Sequence, residues 1–202
     1  MRLYSNRLAP SPRRVRMFAA EKAIPLDIVE IDIAAGDTQK AAYLSINPLG
    51  ELPALERPDG TILNESLAIC RWLEEQNPTP CLFGSTADER SDINAWIDRL
   101  MFRLYVPTTH VFRHTHPFWE KRLTQVPAWG ELQRTAVLAE YAALNKHLTQ
   151  KRFIVGEQFS MADIVAYTSI DFGKPSKLRV TEAMPELLRW YQNIGSRPST
   201  QA

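Results

Sequence analysis

The sequence predicts an α/β domain followed by an all-helical domain. Three observations support this division: strand-like and helix-like segments alternate early in the chain, residues 77–80 read Asn-Pro-Thr-Pro, and later segments carry helical periodicity without a convincing strand. Because proline ends regular structure, this tetrapeptide is a plausible linker. We therefore predict domains over residues 1–80 and 88–202.

The first domain opens with a strand, a helix and a second strand. Residues 2–5 form a short strand-like segment, and residues 9–12, Ala-Pro-Ser-Pro, precede a helix. Ser11 stands directly before Pro12, the arrangement expected of an N-cap residue before a first-turn proline. Residues 26–33 alternate apolar and polar side chains, which predicts a strand. This order favours a parallel pair with a right-handed crossover.

A hairpin and a helix complete the first domain. A short helical stretch covers residues 40–44, and residues 52–56 and 61–64 flank a Pro-Asp-Gly turn. Residues 66–75 then show helical spacing of apolar side chains. The predicted order is therefore βαβα, a hairpin and a helix.

Four helices are predicted in the second domain, over residues 88–105, 128–149, 161–172 and 185–194. The third has the strongest start signal, because Ser160 and Asp163 stand at the spacing of a capping box. We interpret this signal as structural.

Charge and cysteine content exclude several classes of function. With 24 Lys and Arg against 23 Asp and Glu, the chain has a net charge of +1, too little to attract nucleic acid or an anionic membrane. The densest basic cluster, Arg13, Arg14 and Arg16, is interpreted as a solvated helix face. Two cysteines are too few for a disulfide framework, and Cys70 is expected to be a small buried hydrophobe.

The sequence begins without the apolar stretch of a signal peptide, and no later stretch approaches a membrane span. We therefore predict a cytoplasmic protein with no membrane and no nucleic-acid partner.

Three segments carry a resemblance to a known family. Residues 47–55 read Asn-Pro-Leu-Gly-Glu-Leu-Pro-Ala-Leu, residues 64–69 read Asn-Glu-Ser-Leu-Ala-Ile, and residues 156–164 read Gly-Glu-Gln-Phe-Ser-Met-Ala-Asp-Ile. In this order and spacing they resemble cytosolic glutathione transferases over nearly the whole chain. The resemblance implies a thioredoxin-like N-terminal domain, an all-α C-terminal domain, glutathione as co-substrate and a homodimer.

The same resemblance implies the residues that bind glutathione. Leu52 and Pro53 occupy the family's strand edge before a cis proline, where the cysteinyl backbone of the tripeptide pairs. Glu65 faces the γ-glutamyl ammonium, and Ser66 at a helix N-terminus holds the γ-glutamyl carboxylate. The alternative for Ser66 is a helix cap alone. Lys40 lies where the family supplies groups that bind the glycyl carboxylate. The alternative is that Lys40 is a solvated lysine on a helix.

The group that activates the thiol departs from the family pattern. Serine-type relatives place a hydroxyl five residues before the position of Arg14, and this chain has Ala9 there. Ser11 is a substitute unless it only caps the helix, and Tyr4 and Ser5 are further candidate donors.

A second source of activation is the helical domain. Residues 112–117 and the pair Trp129-Gly130 resemble an atypical bacterial and fungal group in which His and Ser of that domain lie near the sulfur, which makes His114 a candidate. Its alternative is an ordinary polar-loop histidine. Three neighbouring histidines without a nearby carboxylate or cysteine do not favour a closed zinc site.

The predicted function is conjugation of glutathione with an electrophilic, apolar small molecule. Six residues are candidates for the wall of its pocket, or for ordinary core: Tyr105, Val111, Phe112, His114, Phe118 and Trp119. The alternative is a non-catalytic interaction module, which Ala9 favours and the Leu52-Pro53 and Glu65-Ser66 pairs disfavour.

Overall fold

The computed structural model describes residues 1–202, which form two compact units. The first comprises Met1–Cys81 together with Pro198–Ala202, and the second comprises Leu82–Arg197. The predicted domains, 1–80 and 88–202, did not include the return of the C-terminal residues to the first unit.

The first unit contains a four-stranded mixed sheet of order β2-β1-β3-β4. β1 (Arg2–Ser5) pairs in parallel with β2 (Asp27–Glu30), and β3 (Ala54–Glu56) pairs antiparallel with both β1 and β4 (Ile62–Asn64). The helices are α1 (Pro10–Glu21), α2 (Ala41–Leu44) and α3 (Ser66–Gln76). This arrangement confirms the predicted thioredoxin-like domain.

Side chains on the two faces of this sheet build separate apolar clusters. Successive strand residues point to opposite faces, so Leu3 and Tyr4 lie on different sides. Leu3 is fully buried beside its cross-strand partner Leu55. On the other face Tyr4 packs with Tyr43 and Ala54. Burying each large apolar side chain contributes about 1.5–3 kcal/mol, so both faces hold the sheet in place.

The basic cluster of α1 is not a solvated face, and that prediction was wrong. Arg14 is completely buried and Arg16 is buried. Arg16 donates to the Ser5 hydroxyl, to two carbonyls of the loop before α1 and, at 3.2 Å, to the carbonyl of Ala202. Arg13 donates to the Thr200 carbonyl at 3.1 Å. Burial is tolerated because the donors of Arg16 meet carbonyl and hydroxyl acceptors, three from residues 5–7 and one from Ala202.

The second unit is all helix, as predicted, but it has five α-helices where four helices were predicted. Its helices are α4 (Ala87–Leu100), α5 (Val106–Thr115), α6 (Pro127–His147), α7 (Met161–Phe172) and α8 (Pro185–Gly195). A π-helical turn, Met101–Tyr105, joins α4 to α5. Pro107 follows this turn and cannot donate to the carbonyl four residues earlier, which explains the local widening. None of the helices is both long and apolar enough to cross a membrane.

Asp163 is the polar centre of the second unit. Its fully buried carboxylate accepts from the Ser160 N–H at 3.0 Å, the acidic half of the predicted capping box. It also accepts from the Ile154 N–H at 3.0 Å and from the Trp190 indole N–H at 2.9 Å. Burial raises the pKa of Asp163 to about 6, although these hydrogen bonds oppose the rise. The residue therefore ties the start of α7 to α8 and to the preceding loop.

Candidate functional site

The Leu52–Pro53 peptide bond is cis, as the resemblance implied. Pro53 is buried directly before β3, and Leu52 is half-buried. The backbone N–H and C=O of Leu52 form no hydrogen bond within the chain. An extended peptide that paired with this residue would therefore not compete with a bond inside the protein.

Two side chains hold the turn before Leu52 in place. The Tyr43 hydroxyl donates to the Glu51 carbonyl at 2.7 Å, and the Asn47 amide donates to the same carbonyl at 2.8 Å. Burial raises the pKa of Tyr43 to about 12, so its hydroxyl stays protonated and remains a donor. The Asn47 amide thereby supports this turn.

Gly50 allows the turn to pack against the preceding loop. Its φ is +63°, a left-handed conformation that favours glycine. A Cβ at this position would lie 2.4 Å from the Gln39 side-chain nitrogen and 2.8 Å from the Thr38 carbonyl. Any side chain would therefore displace the loop of residues 36–39.

The hairpin register brings the two predicted binding motifs together. Ala54 of β3 pairs with Asn64 of β4. Pro53 directly precedes Ala54 and Glu65 directly follows Asn64, so both motifs lie at the same end of the hairpin. The Asn64 amide also donates to Asn47 at 3.4 Å, which links the two turns.

Glu65 has a strained backbone. It is exposed and has φ +66° and ψ 115° at the N-cap of α3, where it makes no side-chain capping bond. A non-glycine residue in such a region costs on the order of 1–3 kcal/mol, and such residues cluster at functional sites. The following Ser66 is the first helical residue, so it does not occupy the cap position.

Ser66 is buried, and its hydroxyl accepts a hydrogen bond from the Arg14 guanidinium at 2.8 Å. Sequence reasoning missed this contact, because Arg14 was assigned to solvent. The sequence did contain a signal for this contact, because the helical spacing of α1 places the polar residue Arg14 on the face that is turned toward the core.

Lys40 is exposed and pairs with Asp37 at 2.6 Å. This hydrogen bond raises the pKa of Lys40 and lowers that of Asp37. The lysine is at the N-cap position of α2 and does not cap it with its side chain.

Ser11 is not the N-cap of α1, contrary to the prediction. Ala9 takes that position with φ −79° and ψ 134°, the extended conformation favoured before proline, and Ser11 is the second helical residue. Pro10 and Pro12 carry no N–H. Ser11 is therefore the one residue among these first three helical positions that offers a backbone N–H, and it also has a hydroxyl.

The two other candidate hydroxyls are engaged within the first unit. The Tyr4 hydroxyl donates to Glu56 at 3.0 Å. The Ser5 hydroxyl is completely buried and accepts from Arg16. Both of these hydroxyls belong to β1, whereas Ser11 belongs to the first turn of α1.

In the second unit, His114 lies in the last turn of α5 and its Nδ1 accepts the Val126 N–H at 3.1 Å. In the neutral ring the proton is then on Nε2. The His110 ring lies 6.1 Å from His114 and 5.9 Å from Trp129, and burial, followed by the charge of His114, lowers the pKa of His110. A Cβ on Gly130 would approach the Cβ of His114 to 3.2 Å, so α6 packs closely on α5 here.

Three of the predicted pocket-wall residues form one aromatic cluster. Phe112 and Phe118 have ring centroids 6.1 Å apart, and Phe118 lies 5.2 Å from Trp119. These rings and Tyr105 are partly exposed, whereas Val111 is completely buried and belongs to the helical core. Partly exposed aromatic rings are suitable for contact with an apolar ligand.

Comparison with known proteins gives a consistent assignment. The family model described as glutathione S-transferase, N-terminal domain, matches residues 9–76, and that for the C-terminal domain matches residues 130–198. Glutathione S-transferase 2 of Saccharomyces cerevisiae is 32% identical, over 100% of this chain and 88% of that protein. The crystal structure of Gtt2 from Saccharomyces cerevisiae superposes with a TM-score of 0.93 at 32% identity, over 100% of this chain and 99% of that one. Probable elongation factor 1-gamma 1 of Arabidopsis thaliana is 29% identical over 85% of this chain, but over 41% of its own length.

Proposed function

This chain belongs to the glutathione S-transferase family, and we propose that it joins the sulfur of glutathione to an electrophilic, apolar small molecule. The observation that carries the proposal is the hairpin register, which places Leu52-Pro53 and Glu65-Ser66 side by side. One motif offers a backbone edge and the other a carboxylate and a helix N-terminus. An extended tripeptide with an ammonium and a carboxylate at one end matches this combination.

Each part of glutathione has a proposed partner. The cysteinyl backbone pairs with the N–H and C=O of Leu52, beside Pro53. The Glu65 carboxylate binds the γ-glutamyl ammonium, while the Ser66 hydroxyl and the N-terminus of α3 bind the neighbouring carboxylate. Lys40 binds the glycyl carboxylate, for which it must exchange its contact with Asp37.

The reaction requires the thiolate, because the protonated thiol is a poor nucleophile. We place the sulfur at the N-terminus of α1, where the helix dipole and Ser11 stabilise its negative charge. The thiol proton passes to solvent. The thiolate then forms a bond to the electrophilic carbon while the leaving group departs with its electron pair. His114 is the second proposed activating group; with Nδ1 engaged by Val126, its Nε2–H is the group that remains for this role.

The test combines calorimetric titration with a spectrophotometric conjugation assay. Glutathione should bind with micromolar to millimolar affinity, and the protein should accelerate its reaction with chlorodinitrobenzene or another aryl or alkyl halide. Leu52→Ala is a suitable control, since it retains the backbone that pairs with the ligand. Absence of glutathione binding would refute the proposal. Binding without conjugation of any electrophile class would restrict it to a binding or redox role.

The alternative is a non-catalytic interaction module. It is supported by Ala9, which supplies no hydroxyl, and by the similarity to an elongation factor 1-gamma protein. Such a module has no need of the glutathione site, so the same titration separates the two functions. The cytoplasmic location and the homodimer remain predictions.

A further inference from the structure

Two buried cations connect α1 to α3, one near each end of the helix pair. Near the C-terminal ends, the fully buried Lys22 ammonium contacts Glu74 at 2.6 Å and also the Pro80 carbonyl. Near the N-terminal ends, Arg14 donates to Ser66 at 2.8 Å. The first contact is an ion pair inside the protein. The second ends on a neutral hydroxyl at the start of α3, where the ligand carboxylate is proposed to bind.

The chemistry of the Arg14 contact fixes the orientation of the Ser66 hydroxyl. A guanidinium only donates hydrogen bonds, so the Ser66 oxygen is the acceptor. The hydroxyl proton must therefore point away from Arg14. Within the chain this hydroxyl makes only the bond that it accepts from Arg14. Its proton is thus available for an acceptor outside the chain.

The residues of α3 around Ser66 carry no negative charge, whereas the neighbouring N-cap residue, Glu65, is an exposed carboxylate. Cys70, one helical turn after Ser66, is completely buried, and burial raises the pKa of its thiol well above the usual range. Cys70 therefore stays neutral and does not offset the charge of Arg14. The first turn of α3 contains no acidic residue, and its N-terminal N–H groups carry the positive end of the helix dipole.

We propose that Arg14 is a positioning residue for the γ-glutamyl carboxylate of glutathione. It acts through Ser66, whose hydroxyl it orients as a donor toward that carboxylate, and its buried charge strengthens the attraction. The inference rests on the proposed function of the site. It assigns a role in glutathione binding to a residue, Arg14, that does not touch the ligand.

The experiment measures the binding of two ligands to four proteins by calorimetry. The ligands are glutathione and an analogue in which hydrogen replaces the γ-glutamyl α-carboxylate. The proteins are the unmodified chain, Arg14→Met, Arg14→Lys and Lys22→Met, the last being the control that breaks the other link between α1 and α3. Thermal unfolding of each protein is recorded in parallel.

Arg14→Met should weaken glutathione binding about tenfold, equivalent to about 1.4 kcal/mol, and change binding of the analogue less than about twofold. Arg14→Lys should recover much of the loss, because an ammonium also only donates. Lys22→Met should lower the unfolding temperature but leave both affinities within about twofold. In conjugation assays Arg14→Met should raise the KM for glutathione and leave kcat nearly unchanged.

If Arg14→Met lowers the affinity for both ligands equally, the positioning role is overturned, because general damage to the unit would weaken the two ligands alike. If Arg14→Met does not fold, the same comparison is made with a further variant, Arg14→Gln, which removes the charge but keeps a polar side chain, and equal losses for both ligands in that variant overturn the proposal. Failure of the unmodified protein to bind glutathione would refute the proposed function, and this inference with it.

Discussion

The backbone of Glu65 predicts that one substitution improves stability while it weakens binding. Glu65 has φ +66°, where a residue with a Cβ is strained by about 1–3 kcal/mol and glycine is strained less. Replacement by glycine also gives the unfolded chain extra freedom, which costs about 0.4–1 kcal/mol. Glu65→Gly should therefore stabilise the first unit by about 0.5–1 kcal/mol.

Glu65→Ala is the matched variant, because it removes the same carboxylate and retains the Cβ. Its stability should stay near that of the unmodified protein, and that of Glu65→Gly should be higher by roughly 0.5–1 kcal/mol, or about 1–4 °C in unfolding temperature. Both variants lose the proposed contact with the ligand ammonium, so both should bind glutathione about tenfold more weakly.

The assay is urea unfolding followed by tryptophan fluorescence, together with calorimetric titration of glutathione. Arg71, which is exposed in the middle of α3, provides the control: Arg71→Gly should be less stable than Arg71→Ala by about 1 kcal/mol, the opposite sign. Equal stability of the two Glu65 variants would refute the strain argument. Unchanged glutathione affinity would refute the role of the carboxylate.

Three further predictions concern activity, pH and assembly. Ser11→Ala and His114→Ala should each lower the kcat for conjugation about tenfold or more and change the glutathione affinity less than about threefold. Full activity in both variants would assign activation of the glutathione thiol to another group. Asp163, whose pKa is raised to about 6 in the folded protein, contributes stability that is fully present below about pH 4 and is lost as the pH rises through 6. In urea unfolding measured between pH 4 and 7, Asp163→Asn should remove this decline in the free energy of unfolding, which is on the order of 3 kcal/mol, and an unchanged pH profile would contradict the assignment. Light scattering at micromolar concentration should show a homodimer, and a monomer would contradict the resemblance on this point.

Local patterns in the sequence determined the order and type of the elements. The prediction of a strand over residues 2–5 matches β1, and the predicted helices over residues 161–172 and 185–194 match α7 and α8 to within one residue. Helical and strand periodicity act over a few residues, so they can be read without the fold. The second strand is shorter than its alternating pattern over residues 26–33, because β1 ends at Ser5, which pairs with Glu30 and accepts the N–H of Ile31.

The candidate site was predictable where it consists of contiguous motifs. The Leu52-Pro53 and Glu65-Ser66 pairs were assigned from order and spacing, and the cis bond is present. The residue that forms the N-cap of α1 was not predictable. Two prolines allow either Ala9 or Ser11 to serve as cap, and the structure places Ala9 there.

The sequence by itself therefore determined the two-part architecture, the candidate motifs and most of the helical and strand segments, whereas α5 was not predicted. Only the tertiary structure decided the environment of the charged residues. Arg14 and Arg16 were assigned to solvent, yet they are buried against Ser66 and against the C-terminal Ala202. The physical reason is that a buried charge is stabilised by partners distant along the chain, and no local periodicity records which distant segment will cover a helix face.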